Sequence, residues 1–340
     1  MSAEYDDFEV IISNLDDDVD YYNFLIYADS GTGKTVFAGS DRRVLFLAPE
    51  KHGVLSAKRM GSKAKQIKIS HWEHLRKSVD YLESHPEVLA EFDWLVIDSL
   101  TEMQKMCSQA ILQVEAPERI AKDQDVDDLQ LQDYKKLYTL MENLVRSCND
   151  LPVNVLYTAL SRVAESPDGM EFLVPQIGSN QPKKYDFSMK IVATMTSYGH
   201  LRNEIVEVPD PANEGKIKNV KRRTIYWDDV ANIRGKDRTT RLAPYTIVGN
   251  PTRALEMIRR CADGDLVRNA EGKIVNKKAP AKKAAPKPVE APKIEAVETS
   301  PEADDKVESE GQVDAQAPET TESEETKGAA QESELVDVEA

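Results

Sequence analysis

Residues 28–35 read Ala28-Asp29-Ser30-Gly31-Thr32-Gly33-Lys34-Thr35, between an apolar run at 22–27 (YNFLIY) and a helix-compatible segment. Strand, glycine-rich turn and helix in that order are the context a phosphate-binding loop requires. Glycines at 31 and 33 let successive backbone N–H groups turn inward into an anion nest, reinforced by the N-terminus of the following helix. Asp29, Ser30, Gly31, Thr32 and Gly33 are then the cradle. Lys34 supplies a point charge for the β- and γ-phosphates, and Thr35 a hydroxyl for Mg²⁺. Ala28 stands where such loops usually begin with glycine; alanine reaches φ > 0 poorly but is small enough for the turn. The plain alternative is a glycine-rich turn that binds nothing, and the strand–turn–helix setting weighs against it.

Working outward, short apolar runs recur at 44–47 (VLFL), 94–97 (WLVI) and 153–157 (VNVLY). Between them lie helical patterns. One covers 71–89, with Leu75, Val79 and Leu82 on one face; another covers 134–148, with Leu137, Leu140, Met141, Leu144 and Val145. Residues 189–195 and 223–227 read as further strands, and 254–258 as a last helix. Continuous apolar strands separated by helices predict an α/β fold with a mostly parallel sheet covered on both faces.

Two acidic residues fall at strand ends. Asp98 closes WLVID, where a carboxylate can hold Mg²⁺ while the apolar run anchors the sheet. A strand ending in Asp is common; paired with a phosphate-binding loop upstream, it is the expected metal partner. Glu50 ends VLFLAPE, just past the second strand, at the carboxyl edge where open α/β sheets bind ligands. It can polarise an attacking water or be a surface loop residue, and the residues alone leave both open.

In the order strand–GTGKT–strand–Glu, then WLVIDS, then LPVNVLYTALSR, the chain resembles the RecA-like core ATPases. YKKLYTLMENLVRSCNDLPVNVLYTAL is similar to phage-encoded AAA/RecA-type ATPases that act with single-stranded DNA in recombination and annealing. The resemblance covers about residues 20–262. It implies ATP and Mg²⁺ as cofactors, slow hydrolysis, Glu50 as catalytic base and Thr158 as a sensor of the γ-phosphate. It also implies a homo-oligomer or filament, single-stranded DNA and a single-strand-binding or replication protein as partners, and a bacterial cytoplasm as the setting. By the same likeness the loop 161–185 contacts DNA, and Lys236 and Arg238 act as a finger in the neighbour's site. The loop mixes Arg162, Asn180, Gln181, Lys183 and Lys184 with Glu165, Asp168 and Glu171, and a hairpin turning at PDG (167–169) suits it equally. A denser basic run, 216–241, holds nine bases against three acids and is either a phosphate-binding stripe or a solvated face. The alternative function is a regulatory or helicase-loader ATPase that acts on a protein partner without gripping DNA.

Composition bounds the rest. The chain has 340 residues, 44 Lys plus Arg and 60 Asp plus Glu, a net charge of −16. Residues 295–340 hold 16 of the acids and two of the lysines, so the acidity belongs to a tail and the remainder is near neutral. A Lys/Ala/Pro-rich linker over 263–294 and an acidic disordered tail over 295–340 are expected to follow a P-loop domain at 1–262. No apolar run is long enough for a membrane span, and the acidic N-terminus lacks a signal sequence. Three scattered cysteines read as buried thiols in a reduced compartment. His71 and His74 lack the third ligand of a metal site.

Overall fold

The structure, a computed structural model, describes residues 21–49, 53–115, 129–209, 217–248, 254–268 and 274–276. Strand β1 (Asn23–Ala28) runs into the glycine-rich loop and helix α1 (Lys34–Ala38). Then come β2 (Val44–Ala48), α2 (Leu55–Arg59), β3 (Lys65–Lys68), α3 (Trp72–Ser84), α4 (Pro86–Leu89) and β4 (Trp94–Ile97). Helices α5 (Leu100–Glu115) and α6 (Leu131–Asn149) lead to β5 (Asn154–Glu165), β6 (Glu171–Pro175) and α7 (Asp186–Val192). The chain continues through β7 (Ser197–Pro209), β8 (Ile217–Tyr226), β9 (Lys236–Asp237), β10 (Tyr245–Val248) and α8 (Ala254–Ala262), and closes with β11 (Leu266–Arg268) and β12 (Ile274–Asn276).

The main sheet is ordered β10-β8-β7-β1-β5-β4-β2-β3. From β3 across to β7 every neighbouring pair is parallel. Beyond β7 the sheet turns antiparallel, with β8 and β10 on the edge, β9 beside the start of β7, and β6 folded back on β5. It is therefore a mostly parallel mixed sheet flanked by helices. In β1, Leu25 and Tyr27 face a core shared with α3, α5, α6 and α7, while Phe24, Ile26 and Ala28 face a second core under α1 and α8. Burial on both faces explains the unbroken apolar strands.

Two expectations change. Residues 189–195 are expected as a strand on their apolar run, but α7 covers 189–192, because Phe187, Ile191 and Val192 recur at helical spacing and are buried together. A run that short does not distinguish the two periods. The helix expected over 71–89 breaks at His85, which precedes Pro86 and takes a non-helical conformation (φ −132°, ψ 65°). PDG does form a hairpin turn: Gly169 N–H donates to Ser166 O (2.9 Å) and Gly169 adopts φ 85°, joining β5 to β6. The antiparallel pair β11–β12 lies within the stretch expected as linker. Residues 277–340, including the acidic tail, lie outside the described residues.

The cysteines are free, and burial pushes the thiols of Cys107 and Cys148 up to about 12, leaving them unreactive. No helix among the described residues is long and apolar enough to cross a membrane.

Candidate functional site

β1, β5 and β4 lie side by side, so their carboxyl ends form one short edge. Gly31 (φ 76°) and Gly33 (φ 101°) take the left-handed conformation that turns the loop there, a region costly for residues bearing a Cβ. The loop carbonyls close on the lysine: Lys34 Nζ donates to Ala28 O (2.8 Å) and Asp29 O (2.9 Å) and is almost fully buried. Thr32 Oγ1 donates back to Asp29 O (2.8 Å), and the Asp29 carboxylate accepts from Ser161 Oγ at the end of the β5 core segment.

Asp98 sits one residue past β4. Its Oδ2 accepts from Thr35 Oγ1 at 2.6 Å, and its Oδ1 accepts from Thr158 Oγ1 on β5. The Asp98–Ser99 peptide is cis. Loop hydroxyl and strand-end carboxylate, 63 residues apart in sequence, are thus in direct contact. Hard oxygen donors of this kind suit Mg²⁺, and bound Mg²⁺ would neutralise charge on a nucleotide's phosphates. The residues present fit the ion. Thr158 is fully buried with its hydroxyl committed to Asp98, so it positions that carboxylate rather than facing the cavity.

A cavity of about 450 Å³ opens over these groups, lined by Ser30, Gly31, Gly33, Lys34, Thr35 and Asp98, and also by Ser56, Glu102 and Arg223. Neither Glu102 nor Arg223 belongs to the phosphate-loop motif or the strand-end aspartate. Glu102 was findable: it follows Asp98 by about one helical turn in VIDSLTE, in the first turn of α5, where its Oε1 accepts from Lys105 Nζ (2.5 Å). Arg223 was counted only as one charge in the basic run. Glu50 lies outside the described residues.

Lys236 and Arg238 do not line the cavity. Lys236 pairs with Tyr198 at the start of β7, and the Arg238 guanidinium donates to Ala193 O of its own chain. Much of the remaining basic run is also engaged internally. Arg222 meets Glu204 (3.2 Å), Arg234 meets Asp229 (3.1 Å), and Arg241 donates to Ala262 O (3.0 Å). In the stretch 161–185, Arg162 near the end of β5 donates to Lys184 O (2.9 Å) and Lys183 meets Glu165 (3.2 Å).

One buried base stands beside the loop. His200 on β7 packs edge-on against Tyr27 (4.9 Å between rings), and neither ring nitrogen finds a partner among the described residues. Burial lowers its pKa to about 4, with Asp29 opposing that shift and Arg202 and Lys34 adding to it.

A phosphate cradle at the end of a central parallel strand, a buried lysine in it, and a strand-end aspartate bonded to its threonine together define a P-loop nucleoside triphosphatase. Residues 20–239 match the family model described as AAA domain, well over half of the chain, and the protein belongs to that family. It therefore carries an AAA-type P-loop ATPase domain. No curated protein matches the chain.

Proposed function

We propose that the protein binds ATP with Mg²⁺ at this edge, hydrolyses it slowly, and couples the nucleotide state to single-stranded DNA in recombination, annealing or repair, working as an oligomer or filament. The observation that carries the nucleotide half is the Thr35–Asp98 contact beneath Lys34. In the reaction Lys34 holds phosphate oxygens, Thr35 and Asp98 hold the metal, and Glu50 activates the water.

The coupling has a physical route. Thr158 and Ser161 on β5 bond to Asp98 and Asp29, so a change at the phosphates pulls on β5. Thr101, the second residue of α5, accepts from Leu160 N–H (3.0 Å) and donates to Gln176 O (3.1 Å). Gln104 brackets Gly178, donating to its carbonyl (2.9 Å) and accepting from its N–H (2.5 Å). The segment that follows presents Gln181 and Lys184 to solvent. These residues are the contact surface for the strand.

A second reading, a regulatory or loader ATPase acting on a protein, is favoured by one observation: most arginines of the basic run are tied up within the fold. Retention on single-stranded DNA at stated salt, with and without ATP, separates the two. ATP-dependent retention supports DNA action; hydrolysis without retention at low salt favours the protein-directed reading.

A further inference from the structure

β8 reads Lys221-Arg222-Arg223-Thr224-Ile225-Tyr226 before Trp227, and strand alternation splits it cleanly. Arg222, Thr224 and Tyr226 point to one face, where all three donate to the Glu204 carboxylate. Ile225 and Trp227 point to the other, into the core under α1. Arg223 shares the Ile225 face and sits one step nearer the carboxyl edge of β1. Its guanidinium therefore emerges over the glycine-rich loop. The packing is close: a Cβ placed on Gly33 would lie 3.1 Å from Arg223 Cζ and 3.2 Å from Nη1.

Among the described residues this guanidinium makes no ion pair and no hydrogen bond, unlike its neighbour Arg222, yet it is half-buried against the loop and lines the cavity. A partly desolvated cation without a counter-ion is costly unless a ligand supplies the anion. A planar five-donor fork is also the side chain best matched to phosphate oxygens. We infer that Arg223 is a phosphate-binding residue of the nucleotide site in its own chain, gripping the phosphates cradled beside Gly33. The inference rests on the ATP reading of the cavity and adds a ligand that the loop motif does not contain. It also gives Gly33 a second constraint besides its φ, since a Cβ there would press on the guanidinium at 3.1–3.3 Å and push it by a few tenths of an ångström.

Loss of a charge-assisted hydrogen bond to phosphate costs about tenfold or more in affinity. Titration of the full chain with fluorescent ADP and ATP should show Arg223→Ala and Arg223→Gln weakening both nucleotides by about that factor. The loss should shrink as salt rises, with Arg223→Lys recovering part of it, and KM should rise more than kcat falls. Thermal midpoints of the variants check folding, and the Gln variant keeps bulk over the loop if the Ala variant is unstable. ADP and ATP affinities within twofold of the unaltered chain in a folded variant would overturn the assignment. Adding a Lys34→Ala chain, which has Arg223 but a broken loop, should not rescue Arg223→Ala; rescue would mean that the arginine serves a neighbour's site. If Lys34→Ala itself leaves affinity unchanged, the nucleotide reading fails instead, a different outcome.

Discussion

On one side of β1 lie β5 and β4; on the other lie β7 and β8. The first side is parallel and buried on both faces, so its polar groups gather where the buried segments end: Asp98 past β4, Thr158 late in the buried part of β5 and Ser161 just beyond it. The second side is a long antiparallel hairpin whose neighbours in sequence part company in space. Arg222 goes to Glu204 and Arg223 to the loop at Gly33. In the parallel half, position along the chain reports position in the site. In the hairpin, only alternation does. A count of charges is informative in the first setting and misleading in the second.

The sharpest way to break this contrast is to attack the parallel half. Lys34→Ala removes the cation that the carbonyls of Ala28 and Asp29 hold in place. Nucleotide affinity should fall on the order of 100-fold or more, the scale of losing a charge-assisted contact to several phosphate oxygens. Calorimetric titration with ATP and Mg²⁺ measures it. An unchanged affinity would move the site away from this edge altogether.

Next in size is the choice of base. Glu50→Gln should leave affinity intact and lower kcat by roughly 10²-fold, because positioning water matters only toward the transition state. Glu102→Gln is the control from within the cavity. Its carboxylate is engaged by Lys105, and its loss should lower kcat by less than about tenfold, within the modest effect of a group not transferring the proton. Single-turnover rates for both variants decide, and the reverse order would assign the chemistry to Glu102.

The loop, both its glycines, Lys34, Thr35 and Asp98 were all legible in the sequence, because a strand–turn–helix with fixed spacing specifies backbone geometry and not merely composition. The parallel sheet was legible for the same reason. Residues 189–195 were misread because seven residues hold less than two helical turns, too few to separate a period of 3.6 from a continuous apolar strand. Thr158, expected at the end of its strand, lies inside β5, which runs on to Glu165, and its partner was not legible: only the register of β4 against β5, Ile97 opposite Tyr157, brings it to Asp98. Arg223 was hidden inside its own charge run, and the strand extent needed to apply alternation came from the pairing with β7.

A third test uses acid. His200 is neutral in the fold, its pKa lowered from 6.5 to about 4 by burial. The unfolded state therefore binds a proton that the folded state refuses as pH drops below about 6.5. Stability from this group is complete above that value and is lost progressively toward pH 4, by an amount on the order of 3 kcal/mol. Denaturant midpoints at pH 7.5 and pH 5 measure the decline. His200→Phe keeps a ring against Tyr27 and should flatten the curve in that window; an unaltered pH dependence would assign the acid sensitivity to other groups.

The smallest effect expected separates the two faces of the hairpin directly. The Lys221 side chain is exposed on β8 and its ammonium makes no ion pair or hydrogen bond among the described residues, whereas Arg222 beside it is held by Glu204 at 3.2 Å. If the basic run binds single-stranded DNA, only the first has a charge to give. Lys221→Ala should then reduce the salt dependence of binding by about one unit of slope, as expected for one phosphate contact. Arg222→Ala should leave the slope alone and instead lower stability, since Glu204 would keep only Thr224 and Tyr226 as donors. Binding isotherms on an oligonucleotide at several salt concentrations read the slope. Equal slopes for the unaltered chain and both variants would mean that the hairpin serves the nucleotide through Arg223 and does not touch the strand.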